Sequence, residues 1–309
     1  MSKVVFAAAN AFPWAARTTV YGLLSCRYHF GWPNHWVLLS LKDRLAVQYV
    51  RRFQSLDDFT VHCDAFDCGA GTSLARGLPY DPETSKLLRR LVEAGMAVAD
   101  VGANVGYFTM LSAGLVGAQG VVHGFEPTPE VCSLLLRNVL ANGFQNVQIH
   151  ETALADYVGD AKFFYYPNNS DENSLRQLTE DTSRVIDVKV TTLDALFADS
   201  STRLSFVKID VEGAELSVLK GARRLLASHR PLVLFEVSRH QEKYGVSGGD
   251  LAAFMKDFGY ACYTVGPQPL KTYRYSADEI GPACTYFNVF AAPSERVDRL
   301  QQSGILGGC

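Results

Sequence analysis

In the stretch ADVGANVGYFT, residues 99–109, Gly102 and Gly106 stand four residues apart, with Asp100 before them and Tyr107 just after. Acids recur at the ends of later apolar runs: Glu126 in GFEP, Glu151 in IHET, Asp210 in VKIDV and Glu236 in LFEVS. Glycines let backbone approach a ligand closely. Carboxylates at the same end of several strands offer partners for hydroxyls, cations and transferable protons. A glycine turn leading into a helix is a nucleotide-type site, and the residues around it narrow the ligand.

A phosphate loop needs Lys-Ser/Thr after its second glycine, and Tyr107-Phe108 stand there instead. A dinucleotide turn needs Gly-x-Gly-x-x-Gly, whereas this turn has Asn104 between its two glycines. Pyrophosphate would also be repelled by Asp100. A cationic nucleoside without phosphate suits the turn better. S-adenosylmethionine carries a sulfonium and an ammonium group, which Asp100 would complement. Glu126, twenty residues past Gly106, can accept hydrogen bonds from both ribose hydroxyls. Pro127 follows it, so Glu126 could equally head the next helix. The segment Ala153-Leu154-Ala155-Asp156 would lie along an adenine, where Asp156 could bond the amino group or cap the turn DYVGD. The cofactor set is thus Asp100, Gly102, Asn104, Gly106, Tyr107, Glu126, Ala155 and Asp156.

The elements that position these residues read as alternating β and α. Asp81 caps a helix over 81–95, with Pro82 in its first turn and Gly95 as its stop. Strands follow at 96–101, 121–127, 146–154, 204–211 and 231–238, with helices at 107–117, 129–143, 214–227 and 249–258. Two further strands flank a polar loop, 167–174, and residues 59–66 read as another strand. TYFNVFAA, 285–292, closes the sheet. The pattern specifies an α/β fold: a mostly parallel sheet covered on both faces, with one antiparallel edge strand. Residues 1–80 form an N-terminal extension or cap, rich in aromatic residues such as Trp14, Trp32 and Trp36, and residues 81–309 the catalytic domain.

A net charge of −3 gives no basic footprint for nucleic acid. Seven cysteines, an odd number with no Cys-x-x-Cys, suit a reduced cytoplasmic protein better than a disulfide or zinc scaffold. The apolar stretch VVFAAANAFPWAA follows Lys3 and could pass for a weak signal peptide. It is too short to span a membrane before Arg17, and the favoured reading is a helix packed on the domain or on a partner. The aromatic extension could roof an acceptor pocket or make a homodimer contact.

The blocks VADVGANVGYFT, GFEPTPE, ETALAD and FVKIDVEGAELSVLKGA, followed by RPLVLFEVS, resemble the FkbM family of S-adenosylmethionine-dependent methyltransferases. The resemblance runs from about residue 80 to 240, with weaker agreement at FNVF. KIDVEGAE is its most specific part. It implies a Rossmann-like methyltransferase acting mostly on hydroxyl oxygens of small molecules or sugars.

Such an acceptor must lose a proton, which calls for a carboxylate or imidazole base, or a metal. Asp210 is the first candidate because it ends a central strand; Glu212 and His240 are the reserves. Lys208 could orient Asp210. Glu215 suits the capping of a helix start. Asp210, Glu212 and Glu236 could together hold a divalent cation, a reading not favoured over bare carboxylates, with Asp210 and Glu236 its chief candidates. Base-methylating enzymes carry an Asn/Asp-Pro-Pro-aromatic block where this chain has KIDVEGAE. Two alternatives stay open: a non-catalytic cofactor-binding partner subunit, and, against the glycine spacing, a nicotinamide-dependent oxidoreductase.

Overall fold

The structure, a computed structural model, describes residues 48–52, 59–64, 80–166, 172–178, 184–266, 269–273 and 286–307. The expected N-terminal helix, the three tryptophans and residues 167–171 of the polar loop lie outside them. Strand β1 (Gln48–Arg52) pairs antiparallel with β2 (Thr60–Asp64). This pair is tied to the main body by two asparagines of a later helix. The side chains of Asn138 and Asn142 exchange hydrogen bonds of 2.6–3.0 Å with the backbone of His62 and Thr60.

Helix α1 (Pro82–Leu91) starts at Asp81, whose carboxylate accepts from Thr84 N at 3.2 Å. It stops short of Gly95 because Val92 turns extended. Strand β3 (Ala97–Val101) is buried along its whole length, as a strand covered on both faces must be. It feeds the glycine turn and α2 (Tyr107–Val116), then β4 (Val121–Phe125), α3 (Pro129–Ala141) and β5 (Val147–His150).

The chain then leaves the main sheet. The strand expected over 146–154 breaks after His150, and β6 (Ala153–Leu154) joins β7 (Gly159–Tyr165) and β8 (Arg184–Thr191) in a separate three-stranded sheet of order β6-β8-β7. After α4 (Leu193–Phe197), β9 (Leu204–Ile209) returns to the centre. The helix expected over 214–227 is two helices, α5 (Glu215–Lys220) and α6 (Arg223–Ser228). Gly221 is the cause: a β-carbon there would lie 2.0 Å from the carbonyl oxygen of Ala155. Asp194 caps the restart, accepting from Arg224 N and Leu225 N at 2.9 and 2.8 Å.

Strand β10 (Leu232–Ser238), α7 (Gly248–Asp257), β11 (Tyr260–Thr264), β12 (Lys271–Thr272), β13 (Tyr286–Pro293) and α8 (Val297–Gln302) complete the order. The main sheet runs β12-β11-β13-β10-β9-β3-β4-β5. Strands β10, β9, β3, β4 and β5 pair in parallel, as expected. Two strands run antiparallel to their neighbours: β13, which lies between β10 and β11, and the short strand β12, which pairs with β11 at the edge. Period-two alternation splits β10 between two cores: Leu232 and Leu234 face α1 and α2, whereas Val233, Phe235 and Val237 face α5 and α7. Glu236 shares the parity of Leu234.

Candidate active site

A cavity of about 630 Å³ opens beyond the carboxyl ends of β3, β4, β9 and β10, where open α/β sheets bind ligands. Its floor at one end is the glycine turn. Gly102, Asn104 and Gly106 all have positive φ, at 81°, 49° and 92°. Glycine is required at both outer positions by crowding: a β-carbon on Gly106 would meet Leu135 at 2.3 Å, and one on Gly102 would meet the Asp210 carbonyl at 1.8 Å. The amides of the turn are spent inside the protein. Gly102 N and Ala103 N donate to Phe125 O at 3.0 and 2.9 Å, Asn104 N to Glu126 Oε2 at 3.2 Å, and Gly106 N to Ala103 O at 2.9 Å. A turn with those amides engaged is a poor nest for pyrophosphate.

Glu126 lines the cavity just past β4. Oε1 accepts from Thr128 N at 2.9 Å and Oε2 from Asn104 N. Each oxygen keeps a lone pair for a further donor. Burial raises its pKa to about 7, with those hydrogen bonds working the other way. Tyr107 also lines the cavity, but its ring packs edge-on to Phe59 and Phe108, and its hydroxyl meets Ser85 Oγ at 3.3 Å.

Five expected positions do not line the cavity: Asp100, Glu151, Ala155, Asp156 and Gly106, the last of which packs on Leu135. Asp100 does not line the cavity; it is 1% exposed and lies behind the turn. Its Oδ2 accepts from Thr109 Oγ1 at 2.6 Å, and Oδ1 stands 4.0 Å from Lys208 Nζ. Burial raises its pKa, with Lys208 and the Thr109 hydrogen bond working the other way. Ala155 and Asp156 do not line the cavity either. The Ala155 carbonyl packs on Gly221, and Asp156 Oδ1 accepts from Ser217 Oγ at 2.7 Å. The chain has already turned into the small sheet there, so Ala153 and Leu154 line the cavity instead. Glu151, read as one of the strand-end acids, is exposed and outside the cavity.

The other end of the cavity collects the remaining acids. Lys208 faces Asp100 across the β3–β9 ladder and is 3% exposed. Its Nζ lies 2.8 Å from Asp210 Oδ2 and 4.7 Å above the Phe108 ring. Burial opposes its charge, but Asp210 and Asp100 outweigh burial and hold the ammonium above the usual lysine range. Glu236 is buried, and burial with the neighbouring Asp210 and Glu215 pushes its carboxyl well above the ordinary value. His240 Nδ1 and Glu212 Oε2 are 2.6 Å apart, and both side chains line the cavity. Burial lowers the His240 pKa, with Asp210 acting in the opposite sense. Glu215 is fully buried and structural: Oε1 accepts from Val211 N and Gly213 N at 3.0 and 3.2 Å, and Oε2 from Gln241 Nε2 at 2.7 Å.

Asp210, Glu212 and Glu236 offer oxygens within 4.8 Å of one another. Two of the three are already engaged, Asp210 by an ammonium and Glu212 by an imidazole. A divalent cation would have to sit beside the Lys208 charge, which is a poor fit.

Sequence reasoning missed one wall. Tyr80, Asp81, Tyr286 and Asn288 line the cavity from α1 and β13. Asn288 Nδ2 donates to Asp81 Oδ2 at 2.8 Å and to Thr84 Oγ1 at 3.1 Å, joining segments two hundred residues apart. An asparagine inside the apolar run FNVF was the available signal. Glu172, Asn173 and Leu175 complete the rim, and Asn173 Oδ1 accepts from Tyr166 N at 2.8 Å.

The sequence model of the methyltransferase FkbM domain matches residues 100–262, more than half of the chain. Methyltransferase 1 of Beauveria bassiana is 29% identical over 143 residues, covering 40% of this chain and 57% of that protein. Methyltransferase sdnD of Sordaria araneosa is 26% identical over 193 residues, 53% of this chain and 73% of the relative. An FkbM methyltransferase structure from Methylobacillus flagellatus aligns with a TM-score of 0.41 at 18% identity, over 64% of this chain and 44% of that one. The chain thus spans little more than half the length of the first of these relatives.

Proposed function

The chain belongs to the FkbM methyltransferase family, and on that premise we propose that it transfers a methyl group from S-adenosylmethionine to a hydroxyl oxygen of a small, sugar-like or secondary-metabolite acceptor. The observation that carries the reading is the division of one cavity into two chemistries. At one end Glu126 and the amide-spent glycine turn suit a ribose and reject pyrophosphate. At the other, Asp210, Glu212 and His240 gather groups that can orient a hydroxyl and take its proton.

When bound, S-adenosylmethionine supplies a methyl carbon activated by a sulfonium. Glu126 would accept from the ribose hydroxyls, and Asp100 and the cavity carboxylates would complement the positive charge. Displacement at carbon needs alignment above all. Rigid strand ends, pinned to the glycine turn at Gly102, provide it. No metal step is part of the reading, because Lys208 already neutralises Asp210. Among the described residues no helix is long and apolar enough to cross a membrane. A cytoplasmic setting remains our reading of the cysteine usage.

The test is incubation with methyl-labelled S-adenosylmethionine and a panel of free sugars, cyclitols and phenols, with the products analysed by mass spectrometry. Label on an oxygen supports the proposal. Label on nitrogen or carbon contradicts it.

A further inference from the structure

Three side chains at the acceptor end could take a hydroxyl proton: Asp210, Glu236 and His240. Asp210 Oδ2 accepts from the buried Lys208 ammonium at 2.8 Å, so that oxygen is already engaged. Glu236 is buried on its strand, and burial with the neighbouring Asp210 and Glu215 pushes its carboxyl well above the ordinary value.

His240 stands differently. Its Nδ1 is 2.6 Å from Glu212 Oε2. With Glu212 ionised the carboxylate can only accept, so the ring N–H would reside at Nδ1 and donate, and a neutral ring would keep its lone pair at Nε2. The backbone that carries Glu212 is fixed. Its φ is 53°, in the left-handed region. Its carbonyl accepts from Ser174 Oγ at 3.0 Å, and Ser174 Oγ meets Tyr244 OH at 2.7 Å. The next residue, Gly213, has φ 102°, and a β-carbon there would lie 2.7 Å from the His240 carbonyl carbon. The segment after β9 and the turn after β10 therefore lock together around this pair. The charged and titratable groups sharing the cavity with His240 include Glu172, Lys208, Asp210, Glu212, Glu236 and Arg239. Glu212 is the one placed to set the tautomer of the ring.

We infer that His240 Nε2, rather than Asp210, receives the acceptor's hydroxyl proton, with Glu212 as the positioning residue that fixes the Nδ1–H tautomer. The inference rests on the O-methylation reading above. The acceptor oxygen forms its bond to the methyl carbon while the carbon–sulfur bond breaks, its electron pair going to sulfur. The hydroxyl proton passes to Nε2, and the resulting imidazolium stays paired with Glu212 until it releases that proton to solvent. An acid behind a histidine plays this orienting part in hydrolytic triads.

The test begins with nitrogen NMR of the imidazoles in histidine-labelled protein at neutral pH, saturated with S-adenosylhomocysteine, with His240 assigned by its loss in His240→Gln. The expected spectrum shows a protonated Nδ1 and a bare Nε2. Glu212→Gly, which suits the left-handed backbone, should mix the two tautomers, and Glu212→Gln should keep the Nδ1–H form without the charge. A protonated Nε2 in the unaltered protein overturns the inference. With any hydroxyl acceptor from the panel that turns over, His240→Gln should lower kcat about a hundredfold or more and leave S-adenosylhomocysteine affinity in place. Undiminished kcat in that variant also overturns it. Should no acceptor turn over, the tautomer alone decides. Failure of S-adenosylhomocysteine to bind would sink the cofactor reading instead, and the tautomer of the free protein would still be measurable.

Discussion

Gly102 and Asp210 touch backbone to backbone: a β-carbon on the glycine would stand 1.8 Å from the aspartate's carbonyl oxygen, and Asp210 N donates to Val101 O at 2.9 Å. The cofactor turn and the acceptor-side strand end are therefore one rigid piece, and displacing one displaces the other.

Gly102→Ala should consequently fail twice over. Its φ of 81° costs a side chain about 1–3 kcal/mol, and the clash adds to that. We expect a clear drop in thermal midpoint together with loss of S-adenosylhomocysteine binding. Unchanged values in scanning fluorimetry and calorimetry would show that the contact is slack.

Lys208 neutralises two carboxylates, Asp100 from beneath the turn and Asp210 at the cavity. Removing one member of a buried pair leaves an uncompensated charge, at a cost of about 3–5 kcal/mol. Lys208→Met should destabilise the fold on that scale in urea unfolding. Adding Asp100→Asn should restore a substantial part of the loss. Additive losses in the double variant would mean that the two residues do not interact.

Glu215 carries a pH signature. Its carboxyl is fully buried, and burial lifts its pKa from 4.5 to about 7 against the hydrogen bonds from Gln241 and the backbone. The folded protein binds this proton more tightly than the unfolded chain does. Its contribution to stability is therefore full below about pH 4.5 and lost as pH rises through 7. Over that window the loss reaches about 3 kcal/mol. Other groups titrate in the same range, so the informative quantity is a difference. The gap between Glu215→Gln and the unaltered protein should shift in favour of the variant from pH 5 to pH 8. A constant gap would contradict the raised value.

Asp156 supplies a contrast. It bonds Ser217 rather than the cavity and is exposed. Asp156→Ala should leave S-adenosylhomocysteine affinity unchanged and cost under about 1 kcal/mol in stability. A tenfold loss of affinity would return it to the adenine site.

The strand–turn–helix at 97–116 and the place of Glu126 were legible because both depend on local spacing. A glycine turn after a buried strand has few outcomes, and the next strand end falls at a fixed distance. The split at Gly221 was not legible, since it arises from the approach of Ala155, sixty-six residues earlier in the chain. The position of Asp156 failed for the same reason: the break after His150 diverts the chain into the small sheet. Asp100 has the residue type a cationic ligand would want, but strand parity turns it behind the turn toward Lys208. The Asp81–Asn288 wall joins the first helix to β13, and no local pattern reports such a meeting.

The most direct measurement is calorimetric titration of the purified protein with S-adenosylhomocysteine and with NAD, repeated on Glu126→Ala. The account expects micromolar binding of S-adenosylhomocysteine, about −8 kcal/mol, no heat from NAD, and at least a tenfold loss, about 1.4 kcal/mol, in the variant. Binding of NAD, or silence from S-adenosylhomocysteine, would contradict it.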